Sequence, residues 1–270
     1  MTYRLCFALL ALLMLGCQTA APPRAASIMP TVEPMVESMA EPITVTADLQ
    51  IRQIAADVWI HTSWHVLPGN RRLSSNGLIV RNGDRLLLID TGWGVEPTQA
   101  LVDWIDRELR LPIAALIPTH HHSDRIGGWP ALAKRGVALL ATPQTLSLSG
   151  EVAMMQSPDP ALNRLAENQA IAIGAVEVFA PGPAHSPDNL MVWLPRQRIL
   201  FGGCAVKAAD ATALGNIDEA DFSGWPLAIR RAQQRYPQAQ LVVPGHGEAG
   251  GRELLSHTLV LLKAETPAVP

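Results

Sequence analysis

From residue 49 onward the chain runs in short β-rich stretches, at 58–60, 78–80, 86–89 and 113–117, each cut off by Gly, Asn or Pro. This rhythm constrains the fold more than any other feature, because stretches so short make a stable sheet only by pairing with many neighbours. Between the third and fourth lies 97–110, where Leu101, Trp104, Ile105 and Leu109 recur at helical spacing behind Pro97, a residue suited to a first helical turn. A second round repeats the order, with strands near 137–141, 170–179, 190–194 and 198–201 and helices over 222–236 and 251–263. Strand-rich blocks that each end in helices predict two αβ halves packed sheet against sheet. With 270 residues, 48% of them apolar, there is enough chain for such a core.

The N-terminal part has a different texture. One basic residue, Arg4, precedes an apolar stretch at 5–15 that is too short for a membrane span and reads as a secretory signal. It ends in Leu-Met-Leu-Gly-Cys, which resembles a bacterial lipobox and would make Cys17 the lipidated N-terminus of the mature chain; ordinary cleavage near Ala20 or Ala21 is the alternative. Residues 17–46 carry Pro22, Pro23, Pro30, Pro34 and Pro42 and no aromatic side chain. That composition predicts a linker spanning roughly 30 Å between anchor and body. The expected organisation is a signal peptide at 1–16, an anchor site and linker at 17–46 and a catalytic domain at 47–270, placed in the periplasm with the membrane reached only through the lipid.

Charge and cysteine content exclude two classes. Lys and Arg number 21 against 24 Asp and Glu, for a net charge of −3, so no field gathers phosphate backbones and nucleic acid is not an expected partner. Of the three cysteines, Cys6 and Cys17 lie in or beside the signal and only Cys204 lies in the body, which rules out a disulfide framework.

The strand at 113–117 runs into Pro118-Thr-His-His-His-Ser-Asp-Arg-Ile-Gly-Gly128. In an extended loop alternate residues project the same way, so His120, His122 and Asp124 are expected to reach one point while His121 faces away. Imidazole and carboxylate are zinc ligands. Three later segments place similar side chains at strand ends: Pro181-Gly-Pro-Ala-His-Ser-Pro-Asp-Asn189 carries His185, Leu200-Phe-Gly-Gly-Cys-Ala-Val-Lys207 carries Cys204, and Leu241-Val-Val-Pro-Gly-His-Gly247 carries His246. A lone Cys or His is ordinarily a packing residue, but the set together points to a metal centre.

With these residues the sequence resembles the zinc metallo-β-lactamases, specifically the first, Cys-ligand subclass of class B, and looks nearest to the Verona-integron-encoded type. The likeness takes in Ser75-Asn-Gly-Leu-Ile-Val80, Leu88-Ile-Asp-Thr-Gly-Trp93 and Gly215-Asn216. It implies an α+β fold, a four-layer αββα sandwich of two mixed sheets face to face with helices outside. It also implies two zinc ions, one held by His120, His122 and His185 and the other by Asp124, Cys204 and His246. Glyoxalase-like and RNA-processing relatives follow the motif Asp with His, where this chain has Arg125, and use a bridging Asp where this chain has Cys204.

The implied activity is hydrolysis of the β-lactam amide of penicillins, cephalosporins and carbapenems, conferring resistance, by a zinc-bound hydroxide and without an acyl-enzyme. Asp124 would orient the nucleophile or relay a proton. Lys207 matches the family lysine that pairs with the substrate carboxylate, and Asn216 matches its oxyanion-side asparagine. The segment from Trp64 to Leu73, with Pro68-Gly69-Asn70 as its turn, aligns with the family flap, so that Trp64, Val66 and Leu67 would close over the substrate's side group. Trp93 would form the floor of the site, and Asp90, Ser75 and Arg125 would hold the ligands from behind. His61, His65 and His257 match no ligand pattern, and Trp59, Trp104, Trp129, Trp193 and Trp225 read as core. The expected form is a monomer. Two rival readings stay open: a fold relative that cleaves another ester, lactone or thioester, and a zinc-binding lipoprotein without turnover.

Overall fold

The structure is a computed structural model and describes residues 39–150 and 160–265; the signal, Cys17 and most of the expected linker lie outside them. Seven strands form the first sheet in sequence order: β1 (Ile43–Thr46), β2 (Leu49–Ala55), β3 (Val58–Leu67), β4 (Arg71–Asn82), β5 (Arg85–Ile89), β6 (Ile113–Ile117) and β7 (Ala138–Leu139). The second sheet has the order β12-β11-β10-β9-β8, from β8 (Gln169–Ile173), β9 (Val176–Ala180), β10 (Met191–Leu194), β11 (Ile199–Gly203) and β12 (Leu241–Pro244). Both are mixed: β5, β6 and β7 run parallel, as do β11 and β12, and the remaining pairs are antiparallel.

Alternation along the strands divides the apolar side chains into three layers. Val58, Ile60, Leu78, Val80, Leu87 and Ile89 meet Val178, Val192, Leu194 and Phe201 between the sheets. On the outer face of the first sheet, Ile79, Leu86 and Leu88 pack on α1 (Val95–Trp104) and α3 (Trp129–Ala133) through Leu101, Trp104, Trp129 and Leu132, with Leu146 of α4 (Pro143–Leu148) in the same layer. On the outer face of the second, Met191, Trp193 and Val242 pack on α5 (Trp225–Arg235) and α6 (Glu253–Glu265). This is the αββα sandwich. Among the described residues no helix is long and apolar enough to cross a membrane.

Three elements depart from the sequence expectation. Ile43–Thr46 fell within the stretch read as linker, yet they pair antiparallel with β2, so the sheet reaches further toward the N-terminus than the proline content indicated. The single strand expected at 170–179 is a hairpin of β8 and β9, turned at Gly174 with φ +57, a backbone region glycine enters without strain. A side chain there would also strike Asn82. The helix expected at 97–110 begins at Val95 and its last turn, Ile105–Leu109, widens to a π-helix that stops at Arg110, which takes the left-handed conformation with φ 54.

Candidate metal centre

Several strand ends converge on one seam between the sheets. β6 delivers the His loop, β11 delivers Cys204, β12 delivers His246, and the connection from β9 to β10 carries His185. The seam is tied by backbone. Asn76 N donates to Gly245 O at 2.9 Å, Gly245 N to Gly203 O at 2.7 Å and Leu190 N to Thr119 O at 2.7 Å. The Asn76 side chain donates to Pro244 O and Gly247 O, fixing the turn that presents His246.

Six predicted donors meet there in two groups. Nδ1 of His122 lies 3.1 Å from Nε2 of His120 and 3.2 Å from Nε2 of His185. Sγ of Cys204 lies 3.2 Å from Nε2 of His246 and 3.7 Å from Oδ2 of Asp124, and the last two are 3.3 Å apart. The atoms of Asp124, Cys204 and His246 fall within 4.8 Å of one another, as do those of His120, His122 and Asp124 and those of His120, His185 and Cys204.

One detail of the loop differs from expectation. His120 and His122 do precede the turn, but Asp124 lies in the single helical turn α2 (Ser123–Ile126), where each residue rotates about 100° from the last. It is this rotation, not extended alternation, that swings Asp124 toward Cys204. The glycines after α2 permit the tight path, since a Cβ on Gly127 would meet Ser123 O at 2.3 Å. His121 faces away as expected. Its Nδ1 is 3.0 Å from Oδ1 of Asp188 and its Nε2 is 3.1 Å from Oε2 of Glu219.

The protonation chemistry fits a divalent metal. Burial, reinforced by neighbouring positive charge, pushes His185 down to about 2, His246 down to about 4 and His120 well below the usual imidazole range, so all three are neutral lone-pair donors. Burial alone would raise Asp124, but Arg125 and the imidazoles bring it down to about 2 and keep it anionic. Burial pushes the Cys204 thiol up to about 12, and a bound metal reverses this by taking the thiolate as ligand. Nδ1 of His122 carries one lone pair and cannot accept in line from both neighbouring imidazoles, whereas a cation among the three nitrogens engages all of them at once. The buried Nδ1 of His185 has no hydrogen-bond partner.

Behind the donors sit the supporting residues expected from the sequence. The Arg125 guanidinium is fully buried; it reaches Asp124 Oδ2 at 2.7 Å, Asn76 O at 2.6 Å, Gly245 O at 2.9 Å and Asp90 Oδ2 at 3.2 Å. Asp90 accepts from Thr119 N at 2.6 Å and from its hydroxyl at 2.9 Å, one residue before His120, while burial lifts its carboxyl to about 7 against the pull of Arg125. Ser75 donates to Asp124 O at 3.1 Å. His246 donates from Nδ1 to Ser74 O at 2.5 Å, which leaves Nε2 bare toward Cys204.

The substrate-side expectations fare unevenly. Lys207 is buried beside the centre, its Nζ 5.1 Å from the ring centroid of Trp225. Trp93 lies 6.0 Å from the His246 ring and stacks on His65 at 5.0 Å. The hairpin of β3 and β4 turns where expected, with Gly69 and Asn70 both at positive φ. Its alternation, however, separates Leu67 from Trp64 and Val66. Ser63, whose hydroxyl accepts from Trp93 N, and His65 share Leu67's face, whereas Trp64 carries Arg72 over its ring at 4.7 Å on the opposite one. Trp64 still reaches a groove of about 410 Å³, lined also by His65, Val66, Trp93 and Glu96. Asn216 is exposed and its Oδ1 accepts from Asp218 N, so it closes its own loop and does not touch the donors.

Sequence reasoning missed His65, Asn76, Thr119 and Glu219, and it placed Trp225 simply in the core. Glu219 accepts from Nε2 of His122 at 2.9 Å, and Trp225 packs edge-on against His185 at 5.8 Å. Each of the four missed residues lies close along the chain to one the sequence singles out: His65 follows Trp64, Asn76 follows Ser75, Thr119 precedes His120, and Glu219 comes three positions after Asn216.

Comparison with known proteins agrees with this geometry. The sequence profile described as the metallo-beta-lactamase superfamily matches residues 70–246. A Bacillus cereus protein named metallo-beta-lactamase type 2 is 38% identical over 220 residues, which cover 81% of this chain and 84% of the relative. The solved metallo-beta-lactamase from Pontibacter korlensis superposes with a TM-score of 0.73 at 45% identity, covering 80% of this chain and 100% of that one. That from Hirschia baltica gives 0.75 at 36%, covering 80% and 98%. Since these likenesses span both sheets and every donor at the seam, the chain belongs to the metallo-beta-lactamase superfamily and stands among its β-lactam hydrolases.

Proposed function

We propose that this enzyme hydrolyses the β-lactam amide of penicillins, cephalosporins and carbapenems, with two zinc ions per chain, and so confers resistance. The observation that carries the reading is the pair of donor groups at one seam: three imidazoles meeting at Nδ1 of His122, and the carboxylate, thiol and imidazole of Asp124, Cys204 and His246. When bound there, zinc supplies Lewis acidity to a carbonyl oxygen and lowers the pKa of a coordinated water from about 15.7 to near 7.

The chain's own residues do the rest. Asp124, kept ionised by Arg125, orients the attacking water or takes its proton and passes it toward the leaving nitrogen. Lys207 pairs with the carboxylate common to bicyclic β-lactams; its burial beside the Trp225 ring limits competition from water. Asn216 offers its amide nitrogen to the carbonyl oxygen as negative charge develops. Trp93, His65 and Leu67 supply apolar wall to the substrate's side group, with Trp64 at its rim. Monobactams, which lack the fused ring and its carboxylate, are poor substrates in this reading. Residues 1–16 act as an export signal and Cys17 as the lipid attachment point, giving a monomer tethered at the periplasmic face of the outer membrane.

The test is the absorbance loss of a carbapenem with purified protein, before and after a chelator and after zinc is restored. Hydrolysis that stops with the chelator and returns with zinc is the expected result. A folded, zinc-loaded sample that leaves carbapenem, penicillin and cephalosporin intact overturns the reading in favour of a lactone or thioester substrate.

A further inference from the structure

The outer side of His122 faces a second group of donors. Oε2 of Glu219 lies 2.9 Å from Nε2 of His122 and 3.1 Å from Nε2 of His121, and all three atoms fall within 4.8 Å of one another. They are open to solvent, with side-chain exposures of 44% for Glu219, 21% for His122 and 11% for His121.

Both rings are turned so that an outer nitrogen faces the same carboxylate. His122 directs Nδ1 toward His120 and His185 and Nε2 toward Glu219. His121 directs Nδ1 to the Asp188 carboxylate at 3.0 Å, which leaves Nε2 facing Glu219 at 3.1 Å. Two imidazole nitrogens and one carboxylate oxygen thus converge on one point at the surface. Asp188 is itself held by the Ser186 hydroxyl at 2.8 Å, which fixes the orientation of the His121 ring.

We propose that His121, Glu219 and the outer nitrogen of His122 form a third, outer site for a divalent transition-metal ion such as zinc. Two imidazoles and one carboxylate favour zinc, nickel or copper over magnesium or calcium. The ion binds His121 Nε2 through its lone pair and Glu219 through its carboxylate. At His122 it replaces the Nε2 proton, which leaves to solvent, so one proton is released for each ion bound. The outer ion binds more weakly than the inner pair, because it shares His122 with a neighbouring cation. The proposal rests on the reading of His122 Nδ1 as an inner metal donor.

The experiment counts metal rather than turnover. Protein loaded with two zinc ions is dialysed to equilibrium against rising micromolar Zn2+ and its bound zinc is measured by atomic emission, with proton release followed by calorimetry in buffers of different ionisation enthalpy. The expected result is a third equivalent with one proton released, and the loss of that equivalent alone in His121→Ala and in Glu219→Gln. Retention of the inner two ions shows that each variant is folded. A wild-type chain that stays at two ions throughout overturns the proposal. Third-site binding in a chain that leaves β-lactams intact would refute the hydrolytic reading and not this one. β-Lactam hydrolysis by a chain limited to two ions would do the reverse.

Discussion

Trp225→Phe tests how the second sheet's helices hold the site. Trp225 is fully buried at the start of α5, and its indole N–H donates to Ala205 O at 2.8 Å, the residue next to Cys204. Phe keeps a six-membered ring near Lys207 but cannot donate, so a buried carbonyl loses its partner at about 1–3 kcal/mol. The smaller ring leaves space that the packed surroundings fill only in part, costing about 1–2 kcal/mol more by the transfer of the missing atoms. Together the loss is about 2–5 kcal/mol, which at roughly 2–4 °C per kcal/mol for a domain of this size lowers Tm by roughly 4–20 °C. The Lys207 ammonium, 5.1 Å from the ring, retains an aromatic face, and losing at most a cation–π contact of about 0.5–1 kcal/mol raises KM by no more than about two- to fivefold with kcat little changed. Thermal unfolding followed by tryptophan-independent circular dichroism reads the first effect, and carbapenem kinetics the second. A Tm within about 2 °C of wild type would refute the hydrogen-bond argument. A large fall in kcat at unchanged Tm would refute the claim that Trp225 acts only by positioning.

Four other outcomes follow from the same geometry. Cys204→Ser keeps the fold, by circular dichroism, but binds one zinc tightly in place of two; two tightly held zincs at a normal rate would remove Cys204 from the donor set. Because burial holds the free thiol up at about 12, metal entry at that group must expel its proton, so affinity there rises about tenfold per pH unit from 6 to 8, a slope that competition with a chromophoric chelator should show and Cys204→Ser should lose. Gly77→Ala drives a methyl to 2.3 Å from Nε2 of the buried His61 and 2.5 Å from Ile89 O, overpacking worth about 1–3 kcal/mol or more, and a soluble variant with wild-type Tm would show the site to be softer than its packing. Stripping metal lowers Tm through mass action, by about 2.7 kcal/mol of stability for zinc held at one hundred times its dissociation constant, and calorimetry with and without chelator measures it.

How much of this could be read from the sequence depends on whether a residue's partners lie along the chain or across it. The six donors were legible because each follows a β-rich run, and strand ends in packed sheets deliver loops to common points. The sandwich was legible for the same reason, from two rounds of strands closed by helices. What failed was orientation within a correctly placed segment. Asp124 was assigned by extended alternation, yet the backbone closes a helical turn there, and only the tight passage through Gly127 hints at it. Trp64 and Leu67 were grouped because both are apolar and near one turn, while the register of β3 on β4, which pairs Ser63 with Ser75 and His65 with Leu73, sends them to opposite faces. His65 was set aside as matching no ligand pattern, and its role depends on Trp93, a partner no local pattern names. Glu219 is the clearest limit. It lies 97 residues from His122, in a loop with no repeat or periodicity, and reaches it only because the chain after β11 folds back over the His loop. A carboxylate that meets an imidazole from outside carries no spacing signature of its own; its partner is named only once the loop between β11 and α5 is folded.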